Sequence, residues 1–151
     1  IIFEDYKSLD GELPITGGWG YTKDDAVIID KNDPVVPKGV PFYGVGIEYI
    51  FVEKRIYEEL IIFRLLGEPY AGIRWELIEQ RLESHDGRDY DVLNYEVTAF
   101  SEPDWNELKD EWESNNYFND SLEGFQAHQE KRESKMISYK TEYWFDITSF
   151  F

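Results

Sequence analysis

The chain has no cysteine, one methionine and two histidines among its 151 residues. Without cysteine there is no disulfide framework, no thiolate metal site and no cysteine nucleophile. Positive charge is also scarce, with 15 lysines and arginines against 32 aspartates and glutamates and a formal net charge of −17. Such a field repels phosphate backbones and anionic lipid surfaces, so neither nucleic acid nor a membrane is an expected partner. No apolar run approaches the roughly 20 residues that a membrane helix needs. The chain begins Ile1-Ile2 and its one methionine is Met136, so residues upstream of Ile1 are expected to be missing. The expected location is cytoplasmic, with a removed signal peptide left open.

Aromatic side chains, by contrast, are plentiful: 5 Trp, 11 Tyr and 10 Phe make up 17% of the chain. A disordered chain combines high charge with few aromatics, and this chain does not. The length suits one domain, so residues 1–151 are expected to form a single α+β domain with an irregular, Gly/Pro-rich N-terminal portion over about 1–44.

Within that portion, Ile1 to Tyr6 reads as a strand and Val27-Ile28-Ile29 as a short buried one. Thr22-Lys23-Asp24-Asp25 has capping-box spacing and predicts a helical turn between them. Val45 to Arg55 carries apolar residues at helical spacing together with a strand-favouring composition; the spacing favours a helix. Ile56 to Leu66 reads as a central strand, because Leu60-Ile61-Ile62-Phe63 is apolar on both faces.

A hairpin is the clearest element, with strands Ile73–Glu83 and Tyr90–Phe100 about an Asp86-Gly87 turn. A two-residue loop would set Leu77 opposite Glu96. Alignment of the apolar positions instead sets Leu77 opposite Tyr95, and that register, with a bulge or a three-residue loop, is the expected one. Ser101-Glu102-Pro103-Asp104 then opens a helix bearing Trp105, Leu108 and Trp112 on one face. A second helix is expected over Leu122–Glu133 and a long alternating strand over Lys135–Thr148. Together these give an antiparallel sheet of about four to six strands with two or three helices packed on one face.

Few local patterns point to chemistry. Gly17-Gly18-Trp19-Gly20-Tyr21 lacks nucleotide-loop spacing; its Trp19 either plugs the core, the favoured reading, or stacks with Tyr21 on a ligand. Asp24, Asp25, Asp30, Asn32 and Asp33 gather oxygen ligands but break the calcium-loop pattern at Pro34 and Val35, and read as a solvated loop. His85 and His128 lack zinc-site spacing and read as surface residues. Paired carboxylates such as Glu48, Glu53, Glu76 and Glu79 are too numerous to mark an acid–base site. Trp144 lies on the polar face of the last strand, so it is either exposed for a partner or buried in a strand covered on both faces.

No catalytic residue, metal or cofactor follows from these patterns. The leading expectation is an acidic interaction domain that binds a basic macromolecular partner, as inhibitor or immunity proteins do by charge and size. A small-molecule-binding domain or enzyme with an aromatic pocket is the alternative, and a homodimer formed through Trp144 and the last strand is a third reading. The residues expected to meet ligand or partner are Trp19, Tyr21, Trp75, Tyr95 and Trp144.

Overall fold

A computed structural model describes residues 13–39, 41–62 and 69–151, with only the backbone at residues 61 and 62. Among the described residues five strands form one sheet in the order β1-β2-β5-β4-β3: β1 is Ile15–Gly17, β2 Val27–Ile29, β3 Tyr70–His85, β4 Arg88–Ser101 and β5 Ile137–Asp146. Three α-helices accompany it among these residues: α1 over Gly44–Tyr57, α2 over Glu102–Ser114 and α3 over Leu122–Lys135. The class is α+β, and the sheet is mostly antiparallel. Its exception is β2, which pairs antiparallel with β1 but parallel with β5, Val27 lying opposite Phe145. The expected strand at Ile1–Tyr6 lies outside the described residues.

The chain separates into two compact units: residues up to Ile56 with Leu77–Tyr95 and Lys140–Phe151, and Tyr57–Glu76 with Glu96–Tyr139. Strands β3, β4 and β5 contribute residues to both. In the first unit α1 buries nine of its 14 residues, among them Ile47, Ile50, Phe51, Val52 and Ile56. This burial, rather than helix propensity, holds a segment rich in β-branched and aromatic residues in helical form. Phe51 meets Tyr143 and Phe145 of β5 edge-on, at centroid distances of 6.3 and 5.4 Å. Val27, Ile29, Val92, Leu93 and Tyr95 complete this core.

In the second unit α2 buries only Leu108 and α3 only His128. Both helices are well capped: Ser101 Oγ accepts from the Asp104 amide at 3.3 Å, and Ser121 Oγ from the Gly124 amide at 3.0 Å. Between them Asn116, Tyr117 and Phe118 all take positive φ, near 52°, 59° and 55°. Left-handed backbone costs on the order of 1 kcal/mol at each non-glycine residue. The turn it makes returns Phe118 against Trp112 and His128, at 5.8 and 5.1 Å.

Three sequence expectations are corrected. The segment from Ile56 is not a strand: α1 runs to Tyr57 and widens into a π-helical turn over Glu58–Ile62, while residues 63–66 of the expected strand lie outside the described residues. A fully apolar run fits a buried helix as well as a buried strand. Thr22 to Asp25 makes both bonds of the capping box, the Asp25 carboxylate accepting from the Thr22 amide at 2.6 Å and the Thr22 hydroxyl from the Asp25 amide at 3.4 Å. The chain nevertheless forms a single turn, closed by the Ala26 amide on the Lys23 carbonyl, and no helix.

The hairpin has no extra residue at its turn: Asp86 and Gly87 alone join the strands, with φ of 51° and 78°. Two consecutive positive φ values are what a twist-matched hairpin turn requires, and glycine supplies the second without steric cost. Gln80 bonds Asp91, and Ser84 bonds Asp89 at 2.7 Å. Even-numbered positions of β3 therefore share a face with odd-numbered positions of β4, as the two-residue register demands. The alternating Ile73, Trp75 and Leu77 thus lie on the face opposite Tyr95 and Val97. The expectation placed the two apolar sets on one face, whereas the two-residue turn decides the register and sets them on opposite faces.

Candidate functional site

The five aromatic residues expected to bind a partner occupy three settings. Trp19 and Tyr21 stand on the loop between β1 and β2, 62% and 39% exposed. The Arg55 guanidinium of α1 lies beneath them, 5.2 Å from the Trp19 ring, 5.5 Å from Tyr21 and 4.8 Å from Phe51. Its Nη1 also donates to the Trp19 carbonyl at 2.7 Å. The expectation that Trp19 plugs the core is therefore overturned, since Phe51 and the buried Arg55 already fill the space under the loop.

That loop is fixed on both sides of Trp19. The Gly18 amide donates to the Ala26 carbonyl at 3.2 Å and the Gly20 amide to the Asp25 carbonyl at 2.8 Å, while the Gly20 carbonyl accepts from the Trp144 amide at 2.6 Å. At Gly18 a Cβ would sit 2.4 Å from the Asp25 carbonyl oxygen, so only glycine allows the strands this approach.

Tyr95 and Trp144 are interior, 4% and 9% exposed. Tyr95 packs against Tyr143 at 6.1 Å. Trp144 donates from Nε1 to Glu142 at 2.6 Å and is enclosed by Tyr90 at 5.8 Å and the Arg81 guanidinium at 5.5 Å. Of the two readings of Trp144, the strand covered on both faces is the one found. Trp75 belongs to the second unit, edge-on to Tyr57 at 5.6 Å and beside a depression of about 190 Å³ lined by Arg74, Glu76, Glu96 and Thr98. Trp19 and Tyr21 are thus the expected residues that share one exposed site.

Two arrangements went unread in the sequence. The first is a buried acid pair in the first unit. Glu48 of α1 and Asp91 of β4 are 1% and 2% exposed. Both Asp91 oxygens accept from the Gln80 amide, at 2.9 and 2.8 Å. Burial, then a hydrogen bond to Asp91 and its negative charge, push the Glu48 carboxyl up to about 10. Glu48 therefore holds a proton at neutral pH and can donate it to Asp91, while its Oε1 has no hydrogen-bond partner among the described residues. Both carboxyls lie out of solvent. Glu48 falls at a core position of α1, between Ile47 and Phe51. That periodicity was its one available signal.

The second arrangement is a cleft between α2 and α3. It encloses about 320 Å³ and is lined by Trp105, Leu108, Lys109, Trp112, His128, Gln129 and Arg132. Spacing by three and four residues brings Trp105, Leu108 and Trp112 onto one face of α2. His128 is 3% exposed, not a surface residue, and stacks between Trp112 at 5.2 Å and Phe118 at 5.1 Å. Its Nδ1 bonds Glu111 at 3.1 Å, and Lys131 bonds the other Glu111 oxygen at 2.8 Å. Lys131 first, then His128, hold the Glu111 carboxyl below its ordinary value, so a charged acceptor faces Nδ1. His128 follows Phe125 by three residues, which puts it on the apolar side of α3. That was the missed signal.

Among the described residues no three histidine or acidic side chains gather as a metal site, and no helix is long and apolar enough to cross a membrane. No protein-family model, curated protein or solved structure matches this chain.

Proposed function

We propose that this protein is an acidic interaction domain that binds a basic macromolecular partner through the Trp19–Tyr21 loop of its first unit. The observation that carries the reading is the exposed Trp19 ring on a backbone locked by hydrogen bonds on either side. The Trp19 ring lies 5.2 Å from the Arg55 guanidinium, yet at 62% exposure most of its apolar surface is left for a partner. A rigid aromatic anchor loses little entropy on binding, and Trp is enriched among the residues that dominate interface energy. Exposed Asp24 lies on the same loop. The net charge of −17 raises the encounter rate with a cationic surface and disfavours nucleic acid and membrane as partners. A cytoplasmic location belongs to the same reading. The homodimer reading has less in its favour, because β5 lies between β2 and β4 with Trp144 enclosed.

The test is affinity for the basic partner, recovered at low ionic strength and identified, as a function of salt. Affinity should fall at least about tenfold between roughly 50 and 300 mM salt. Trp19→Ala should cost at least about 2 kcal/mol of binding while the protein stays folded, its melting temperature falling only by what the lost Arg55 contact contributes. Salt-independent binding, or a Trp19→Ala variant that binds as the parent does, would overturn the proposal.

A further inference from the structure

The cleft between α2 and α3 differs in charge from the rest of the molecule. Carboxylates outnumber cations two to one along the chain, yet the side chains with charged or titratable groups in this wall are Lys109, His128 and Arg132. Arg132 has no carboxylate partner among the described residues. Its guanidinium lies over the rings of Phe100 and Trp105, at 5.0 and 5.6 Å. Burial, then the like charge of Arg74, hold it below its ordinary value. Lys109 likewise makes no ion pair among the described residues, unlike Lys131, which bonds Glu107 and Glu111 at 2.7 and 2.8 Å. In so acidic a protein, two cations lining one aromatic cleft without a carboxylate partner among the described residues leave an uncompensated positive site.

We infer that this cleft binds a small aromatic carboxylate, its ring between Trp105 and Trp112 and its carboxylate on Arg132 and Lys109. The volume of about 320 Å³ is that of a small-molecule site. A guanidinium matches a carboxylate with two parallel hydrogen bonds, and one already stacked on aromatic rings is oriented in advance. Two indoles supply the apolar walls for a flat ring. Nε2 of His128 has no partner among the described residues, and a hydroxyl on the ligand can meet it as donor or acceptor. This site is independent of the Trp19 loop, and its ligand class is the opposite in charge of the partner proposed there.

The experiment titrates the protein with 6-hydroxy-2-naphthoate and, separately, with the corresponding amide, following the indole N–H signals of Trp105 and Trp112 by NMR. The acid should shift both signals with a Kd on the order of 1 mM or tighter. The uncharged amide should bind at least about tenfold more weakly, as should the acid to Arg132→Gln. Arg132 also packs on Phe100, so Lys109→Gln, at an exposed helix position, provides a second variant that leaves the fold intact; it should weaken the acid about threefold or more. Raising salt from about 10 to 150 mM should leave the affinity unchanged or improve it, because the distant carboxylates are screened before the contact cations are. Basic-partner binding must instead weaken as salt rises, so failure of either proposal is recognisable without the other. Unmoved Trp105 and Trp112 signals, equal binding of acid and amide, or variants that both bind as the parent does would each overturn the inference.

Discussion

The two units draw on the same acidic, aromatic composition and use it differently. In the first, α1 turns most of its surface inward, and Phe51, Tyr143 and Phe145 close on one another with almost no exposure. In the second, α2 and α3 each bury one residue, and their aromatics line a cleft instead of filling it. Apolar area removed from water is the main stabilising term in folding, so the helix pair depends more on its caps, its ion pairs and its aromatic stacking. The difference teaches that aromatic content alone does not make a core. What decides is whether the opposing element supplies a complementary surface.

The comparison is broken most severely from the first unit. Phe145→Ala should cost about 3–5 kcal/mol in denaturant unfolding, because it opens a cavity beside Phe51 in a fully buried layer. A loss below about 1 kcal/mol would show that this core is no better packed than the helix pair.

The second effect belongs to the buried acid pair. Glu48 has its folded-state value raised to about 10 from an ordinary 4.5, so the folded protein binds more protons than the unfolded one between those limits. Its contribution is fully present below about pH 4.5 and is lost progressively as pH rises towards 10, by at most about 1.4 kcal/mol per unit. Glu48→Gln keeps a neutral donor facing Asp91. It should flatten the stability–pH slope between about pH 6 and 8.5 and stabilise the protein at the alkaline end. Equal slopes for the two proteins would remove the proton from Glu48.

The smallest change sharpens the contrast. Ser121→Ala removes the α3 cap, which is worth about 1 kcal/mol. Hydrogen exchange should accelerate at the start of α3 while amides of α1 and β5 stay as protected as before. Uniform acceleration everywhere would mean that the two units open together.

Much of the fold was legible because local signals agreed with the tertiary structure. Ser101 and Pro103 announced α2, Asp86-Gly87 announced the hairpin, and the alternation from Ile137 to Ile147 announced β5. Periodicity also found α1 against its own composition. What escaped was decided at a distance. The Asp86-Gly87 turn decided the register against the match of apolar sets, so the apolar face of β3 was matched to the wrong partner. The fate of Trp19 depends on Arg55 and Phe51, more than 30 residues away, and that of Trp144 on Arg81 and Tyr90. Glu48 was hidden among the chain's other acidic residues, although its helical position set it apart. The cleft residues were visible as a stripe on α2, but Lys109 of α2 and Arg132 of α3 acquire meaning together only when the helices pair.

The parallel pairing of β2 with β5 carries a consequence for how the chain comes together. Ser149 holds the carbonyl of Ile29 across 120 residues of sequence, and the β2–β5 ladder spans a comparable separation. Closing so long a loop must be accomplished before its contacts give anything in return, which slows the search. On a ribosome the strand at Val27–Ile29 emerges early and then has no parallel neighbour until Phe145 has been synthesised. The helical hairpin of α2 and α3, whose partners lie within a few tens of residues, is under no such delay. The part of the molecule with the thinner interior is therefore the part whose contacts are available first, and the densest layer is sealed by the last strand to arrive.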